Sequence, residues 1–308
     1  MTLSKRAGLA VVALLLPLAV LSAFQPAVRK RAGIVLQMLQ GELPGGTWTR
    51  VAAATAPQGW QSSIRAATIP GPQAWVRSFD PPALSDVEGW TVRFLFNQPT
   101  TVVKRLDCHV STLQPGVAPH PPHRHEAEEL LIALSGKLEV VRANQQPLTT
   151  ETILPGQMVY HSSDSVHTVQ AANSGPASYL VLKWIGTVDL GPKMPLRDAT
   201  FRFDSAFETH KDSPRRFRST RLFEVPTRYL TKLHSHATTL KPGGGYDPHP
   251  DPYDIVVVFL KGEVETQGRR VQAGSVIFLP ADRPHGMRNV GSEPAEYLVF
   301  ELHGPAEW

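Results

Sequence analysis

Apolar positions in this chain fall in short runs, each closed by glycine, proline or polar residues. Leu130 to Leu134 is closed by Gly136, and Ile255 to Leu260 by Gly262. Gln157 to Tyr160 follows Gly156, and Ser275 to Leu279 follows Gly274. Tyr179 to Ile185 and Tyr297 to Leu302 end two such series. Runs this short, evenly spaced and broken by turn-formers, predict the strands of a β-sandwich or barrel. No helix of about three turns or more fits within either series. One helical pattern, Ala27 to Leu43, precedes the first. The expected fold is all-β.

The two series are copies of one unit. Arg93 to Gly116 aligns without a gap on Thr220 to Gly243, at an offset of 127. The shared residues include Pro99/Pro226, Thr100/Thr227, His109/His236, Leu113/Leu240 and Gly116/Gly243. Further on, Gly136 matches Gly262, Gly156 matches Gly274 and His167 matches His285. Similarity in constant order over this length marks an internal repeat. The expected organisation is an N-terminal signal segment over 1–23, an extension with leading strands over 24–90 and a first barrel over 91–188. A polar linker over 189–219, expected to wrap the second barrel, then leads to that barrel at 220–304.

The first of these segments reads as an export signal. Lys5 and Arg6 precede an uncharged apolar run, Ala7 to Leu21, and Leu21-Ser22-Ala23 offers a small residue for cleavage. The run is shorter than the roughly 20 residues that span a bilayer. The expected location is therefore periplasmic or extracellular, with membrane attachment only through this segment if it stays uncleaved. Without Lys5 and Arg6, the 31 basic residues fall to 29 against 27 acidic ones, a net charge of +2. So weak a charge gives no reason to expect nucleic acid as a partner. The run Arg215, Arg216, Arg218 and Arg221 reads as a solvated face. Cys108 is the one cysteine, so an intrachain disulfide is excluded, and its apolar strand predicts a packed thiol.

Chemistry concentrates after Pro121, in PPHRHEAEELLIALSG. His123 and His125 are two apart, so on an extended segment both imidazoles project from one face. Glu129 has the same parity, and Glu128 the opposite one, outside the barrel. His167, after the next glycine-headed strand, completes a set of three imidazoles and a carboxylate. Such a set leaves positions open on a divalent first-row ion (Mn, Fe, Ni, Co or Zn), as catalytic sites do. The absence of thiolates argues against structural zinc.

His123 to Gly136 resembles the first motif of the cupins, HxHxxxE followed by six residues and Gly. Gly156 to His167 resembles the second. The resemblance implies a bicupin: tandem double-stranded β-helix, or jelly-roll, barrels. It also implies a metal in the barrel mouth, a small-molecule substrate and assembly into a homo-oligomer. The first copy departs from the family at Ser162 and Asp164, where Pro and Gly are usual, and at Ala171, where Asn is. The second departs more. His249 and His285 stand at the places of His123 and His167, but Asp251 replaces His125 and Ile255 replaces Glu129. Two readings stand for this barrel: a structural one, and a weaker metal site of His249, Asp251 and His285. Asp254 has the wrong parity to help.

His120 and Arg124 flank the ligands and are the candidate catalytic side chains: His120 as acid or base, Arg124 as partner of a substrate carboxylate. The competing reading of both is an exposed loop. His109 and His236, common to both copies, read as structural, and His161 is open. The expected function is a metal-dependent enzyme acting on a small oxygen-rich molecule, such as an organic acid, a diol or a sugar derivative. The resemblance implies reactions of the dioxygenase or decarboxylase type. The alternative is a cupin that captures a ligand or metal without turnover.

Overall fold

The computed structural model describes residues 74–79, 85–142, 149–191 and 195–305. The chain divides into a unit Met1–Thr55 and a unit Ala56–Trp308. The first unit, with the expected signal segment and the helix over Ala27 to Leu43, lies outside the described residues. No helix among the described residues is long and apolar enough to cross a membrane.

β1 (Trp75–Ser78) precedes the first copy, which runs through β2 (Ser85–Val87), β3 (Trp90–Gln98), β4 (Val103–Leu113) and β5 (Glu128–Ser135). This copy continues with β6 (Leu138–Arg142), β7 (Thr149–Ile153), β8 (Gln157–His161), β9 (His167–Ala171) and β10 (Ala177–Gly186). β11 (Ala199–Arg202) and α1 (Asp204–Lys211) follow. The second copy comprises β12 (Phe217–Val225), β13 (Lys232–Leu240), β14 (Gly245–His249), β15 (Asp254–Lys261) and β16 (Glu263–Thr266). β17 (Arg269–Gln272), β18 (Ser275–Leu279), β19 (His285–Asn289) and β20 (Ala295–His303) complete it.

Each copy is an antiparallel jelly-roll barrel built from a large and a small sheet. The first joins β11-β8-β5-β10-β4-β3-β2 to β7-β6-β9, and the second joins β1-β18-β15-β20-β13-β12 to β14-β19-β16-β17. At each tight turn after β5 and β15, Gly136 and Gly262 adopt φ of 71° and 83°. A Cβ there would sit 2.2 Å from the Pro176 carbonyl oxygen and 2.8 Å from that of Pro294, which is why the repeat keeps glycine.

Alternation along the strands sets two cores. Leu130, Ile132, Leu182 and Trp184 share one buried cluster with Val256, Val258, Phe278, Leu298 and Phe300, so the large sheets pack against each other. The intervening residues Ile255, Val257, Phe259, Ile277, Tyr297 and Val299 fill the second barrel. β5 and β15 are thus buried on both faces, and they read as continuous apolar runs for that reason.

Two findings go beyond the sequence. β1, ahead of the first barrel, pairs with β18 of the second, while β11, in the expected linker, pairs with β8 of the first. The linker therefore does not simply wrap the second barrel. β11 completes the first, and α1 leans on the second, where the His210 ring bonds to the hydroxyls of Thr239 and Thr220, both at 2.8 Å.

The repeated Pro-Thr pair ties the two barrels together. Thr227 Oγ1 donates to Glu128 Oε2 (2.7 Å) and the Arg228 amide to Glu128 Oε1 (2.7 Å), across the boundary between barrels. Tyr160 Oη (2.8 Å) and Trp184 Nε1 (2.6 Å) also donate to Glu128. In mirrored fashion Asp254, the counterpart of Glu128, accepts from the Val102 amide (3.2 Å), beside Thr100. The parity assigned to Glu128 and Asp254 holds: both are fully buried. Arg215, Arg216, Arg218 and Arg221 are exposed, and Cys108 is buried, its thiol pushed well up by burial.

Candidate metal centre

Three segments meet at the mouth of the first barrel. His123 and His125 lie on the loop before β5, Glu129 on β5 and His167 at the start of β9. His123 is extended only at one point, where it exchanges backbone hydrogen bonds with His167 at 3.0 and 2.9 Å. The ligand atoms of His123, His125 and His167 lie within 4.8 Å of one another, as do those of Glu129, His161 and His167. Glu129 spans both groups: Oε2 is 3.3 Å from His125 Nε2 and Oε1 is 3.8 Å from His167 Nε2.

Backbone carbonyls fix the tautomers. His125 Nδ1 donates to Ala127 O and His167 Nδ1 to Ser165 O, both at 2.9 Å, so each Nε2 keeps its lone pair for the cluster. His123 Nδ1, His125 Nε2, His161 Nδ1 and His167 Nε2 are buried without a hydrogen-bond partner among the described residues. An unsatisfied buried polar atom costs about 1–3 kcal/mol. One shared cation would relieve several at once, so the residues present fit a metal.

Burial also lowers the basicity of these rings. It takes His123 down to about 2, aided by the neighbouring imidazoles, and His120 and His161 down to about 4. Burial opposes the charge on Glu129 too, but the imidazoles of His125 and His167 outweigh it and hold the carboxyl well below its usual range. For His167 the balance goes the other way: burial disfavours its cation, yet Glu129 raises it.

Around the cluster, the His120 ring lies 4.0 Å from that of His123, and its Nδ1 donates to Pro121 O at 3.0 Å. Arg124 is exposed and is not drawn into the cluster. His161, open from the sequence, is buried and stacks on His167 at 4.0 Å. Its signal was its pairing: it stands opposite Glu129 in the register of β5 and β8. Asp198 carried no sequence signal. From the linker it accepts from the Ser162 amide (2.8 Å) and hydroxyl (2.7 Å) and from the Ser165 hydroxyl, fixing the turn that precedes His167.

In the second barrel His249, Asp251 and His285 do come together, with Asp251 Oδ2 3.3 Å from His285 Nε2 and 3.6 Å from His249 Nε2. Ile255 fills the place of Glu129, and His249 is half exposed.

Comparison with known proteins agrees with this architecture. The cupin domain family model matches residues 109–183 and 236–301. No curated protein matches the chain. Among solved structures, the formate complex of Lactobacillus farciminis oxalate decarboxylase has 15% identity over 78% of this chain and 89% of its own, with a TM-score of 0.56. A putative glyoxylate-induced protein from Pseudomonas aeruginosa has 15% identity over 79% and 96%, with a TM-score of 0.58. Bacillus subtilis oxalate decarboxylase, described for its Mn(II) centres, has 16% identity over 78% and 79%, with a TM-score of 0.53. At such identities the likeness speaks for the fold. With a cupin match in each barrel and the same tandem fold in these structures, the chain is a bicupin of the cupin superfamily.

Proposed function

We propose that this bicupin is a metal-dependent enzyme acting on a small organic acid, with decarboxylase or dioxygenase chemistry at the first barrel. The observation that carries this reading is the pair of buried, partnerless Nε2 atoms of His125 and His167, aimed at the two oxygens of Glu129. The oxalate decarboxylases among the similar structures favour a short carboxylic acid over a diol or sugar derivative. His123, His125, Glu129 and His167 would hold the ion. When bound, a divalent first-row metal supplies a Lewis acid with open positions for substrate oxygens.

The remaining steps belong to the chain. His120 gives its Nδ1 proton to Pro121 O, and with its basicity lowered to about 4 its Nε2 is a free acceptor at neutral pH. Neutral in this way, it would accept a hydrogen bond from a substrate. Arg124, exposed beside the ligand loop, would meet an anionic substrate at the rim. The segment 1–23 would direct the protein out of the cytoplasm, and several copies would assemble.

The test uses the full chain loaded with Mn(II), with oxalate and other short acids as substrates, following carbon dioxide release and oxygen uptake. The expected result is turnover that disappears in His125→Ala and His167→Ala together with the metal of the first barrel. Thermal stabilisation by an acid without turnover across the panel would replace the enzyme with a binding protein. Cell fractionation checks the location.

A further inference from the structure

The second barrel lacks the glutamate of the first, yet its mouth is not empty of ligands. Cross-strand register shows where they went. In the first barrel His161, Glu129, Lys183 and Asp107 stand side by side on β8, β5, β10 and β4. The same row in the second barrel reads Leu279, Ile255, Glu301 and His234 on β18, β15, β20 and β13. The half that carries ligands in the first barrel is apolar here. The half that carries a lysine and an aspartate there carries a carboxylate and an imidazole here. His236, two residues along the same face of β13, adds a second imidazole.

We propose that His234, His236 and Glu301 form a divalent transition-metal site in the second barrel, shifted across the mouth from the position used in the first. Their ligand atoms lie within 4.8 Å of one another. The rings of His234 and His236 are 5.3 Å apart and inclined at 62°, close to the 5.2 Å and 57° of His123 and His125. The surroundings are those of a ligand set. His234 Nδ1 donates to Glu224 Oε2 at 2.8 Å, leaving Nε2 with its lone pair. His303 Nε2 donates to Glu301 Oε2 at 3.0 Å, leaving Oε1, which lies 3.9 Å from His236 Nδ1, too far for a hydrogen bond. His234, His236 and Glu301 are 17%, 20% and 15% exposed, sheltered but reachable by an ion.

Two imidazoles and one carboxylate suit Zn(II), Fe(II), Co(II) or Mn(II) and leave room for a water or a substrate oxygen. The first barrel supplies an internal contrast: Lys183 and Asp107 stand in the places of Glu301 and His234 and attract each other, so the same row there offers no ligand set. His236 is therefore a ligand in this reading, where the sequence made it structural.

The test takes the full chain carrying His123→Ala, His125→Ala and His167→Ala, which breaks both ligand groups of the first barrel, and titrates it with Co(II), reading visible absorption and metal content. About one equivalent should remain bound. Adding His236→Ala, or the near-isosteric Glu301→Gln, should weaken it at least about tenfold. His249→Ala with His285→Ala should leave it in place, and melting curves confirm that each variant is folded. Binding of no cobalt by the parent variant overturns the proposal. So does loss of the ion from folded protein with His249→Ala/His285→Ala, or its retention in both His236→Ala and Glu301→Gln. Anomalous scattering from cobalt-soaked crystals separates the two sites by position: a peak between His234 and His236 supports the proposal, and a peak only between His249 and His285 overturns it.

Discussion

At the scale of single residues, the first barrel gathers nitrogens that refuse protons. An unfolded histidine takes a proton near pH 6.5, whereas folded His120 and His161 do so only at about 4. The folded state then binds fewer protons between those values, so stability falls as pH drops from about 6.5 to 4. A shift of this size is on the order of 3 kcal/mol per group, and His167, raised by Glu129, offsets part of it. Urea unfolding of chelated protein at pH 7 and pH 5 should show a lower midpoint at pH 5. A higher midpoint would contradict the burial of these rings. Bound metal should act in the other direction at pH 7, adding about 2.7 kcal/mol at a hundredfold excess over its dissociation constant. His167→Ala should abolish the part of that increment that belongs to the first barrel.

At the scale of elements, the turn from Ser162 to Ser165 is held from outside its own strands. The cupin resemblance lacks its usual Pro and Gly here, and Asp164 adopts a φ of 62°, as its counterpart Asp282 does at 59°. Asp198, just ahead of β11, binds Ser162 and Ser165, and Arg228 of the second copy reaches Ser163 Oγ (2.7 Å) and Asp164 Oδ2 (2.9 Å). Since Ser165 O orients His167, Asp198→Ala should cut metal affinity by about 10- to 100-fold in a protein that still folds. Arg228→Ala, with a one-third exposed side chain, should do less. Equal metal titrations for Asp198→Ala and the parent would detach the linker from the site. The strands were legible because short apolar runs closed by turn residues recur in an internal repeat, and the meeting of His123, His125, Glu129 and His167 was legible because their spacing follows those strands. β1, β11 and Asp198 were not, because their partners lie a barrel away and short edge strands carry no pattern that names a partner. His161 fell between: legible only once β5 and β8 are set in register.

At the scale of the molecule, the barrels are bound by more than the apolar face they share. Glu128 and Asp254 are related by the repeat, and each is anchored by the Pro-Thr turn of the opposite barrel. Glu128 accepts from Tyr160, Trp184, Thr227 and Arg228, so its removal strands donors from both barrels in the core. Glu128→Ala should therefore cost several kcal/mol, about 1–3 kcal/mol for each buried donor left without a partner. The form of the loss matters as much as its size. Leu130, Ile132 and Trp184 lie in one cluster with Val256, Phe278 and Phe300, and β1 completes the second barrel from ahead of the first. Neither barrel can lose its fold and leave the other its core. Calorimetry of the metal-free protein should show one transition, moved down by about 2–4 °C per kcal/mol in Glu128→Ala and not divided in two. Separate melting of the two barrels would mean that the shared face adds little. A chain beginning at 220 should then fold alone, although it lacks β1 and exposes the apolar side of β15 and β20.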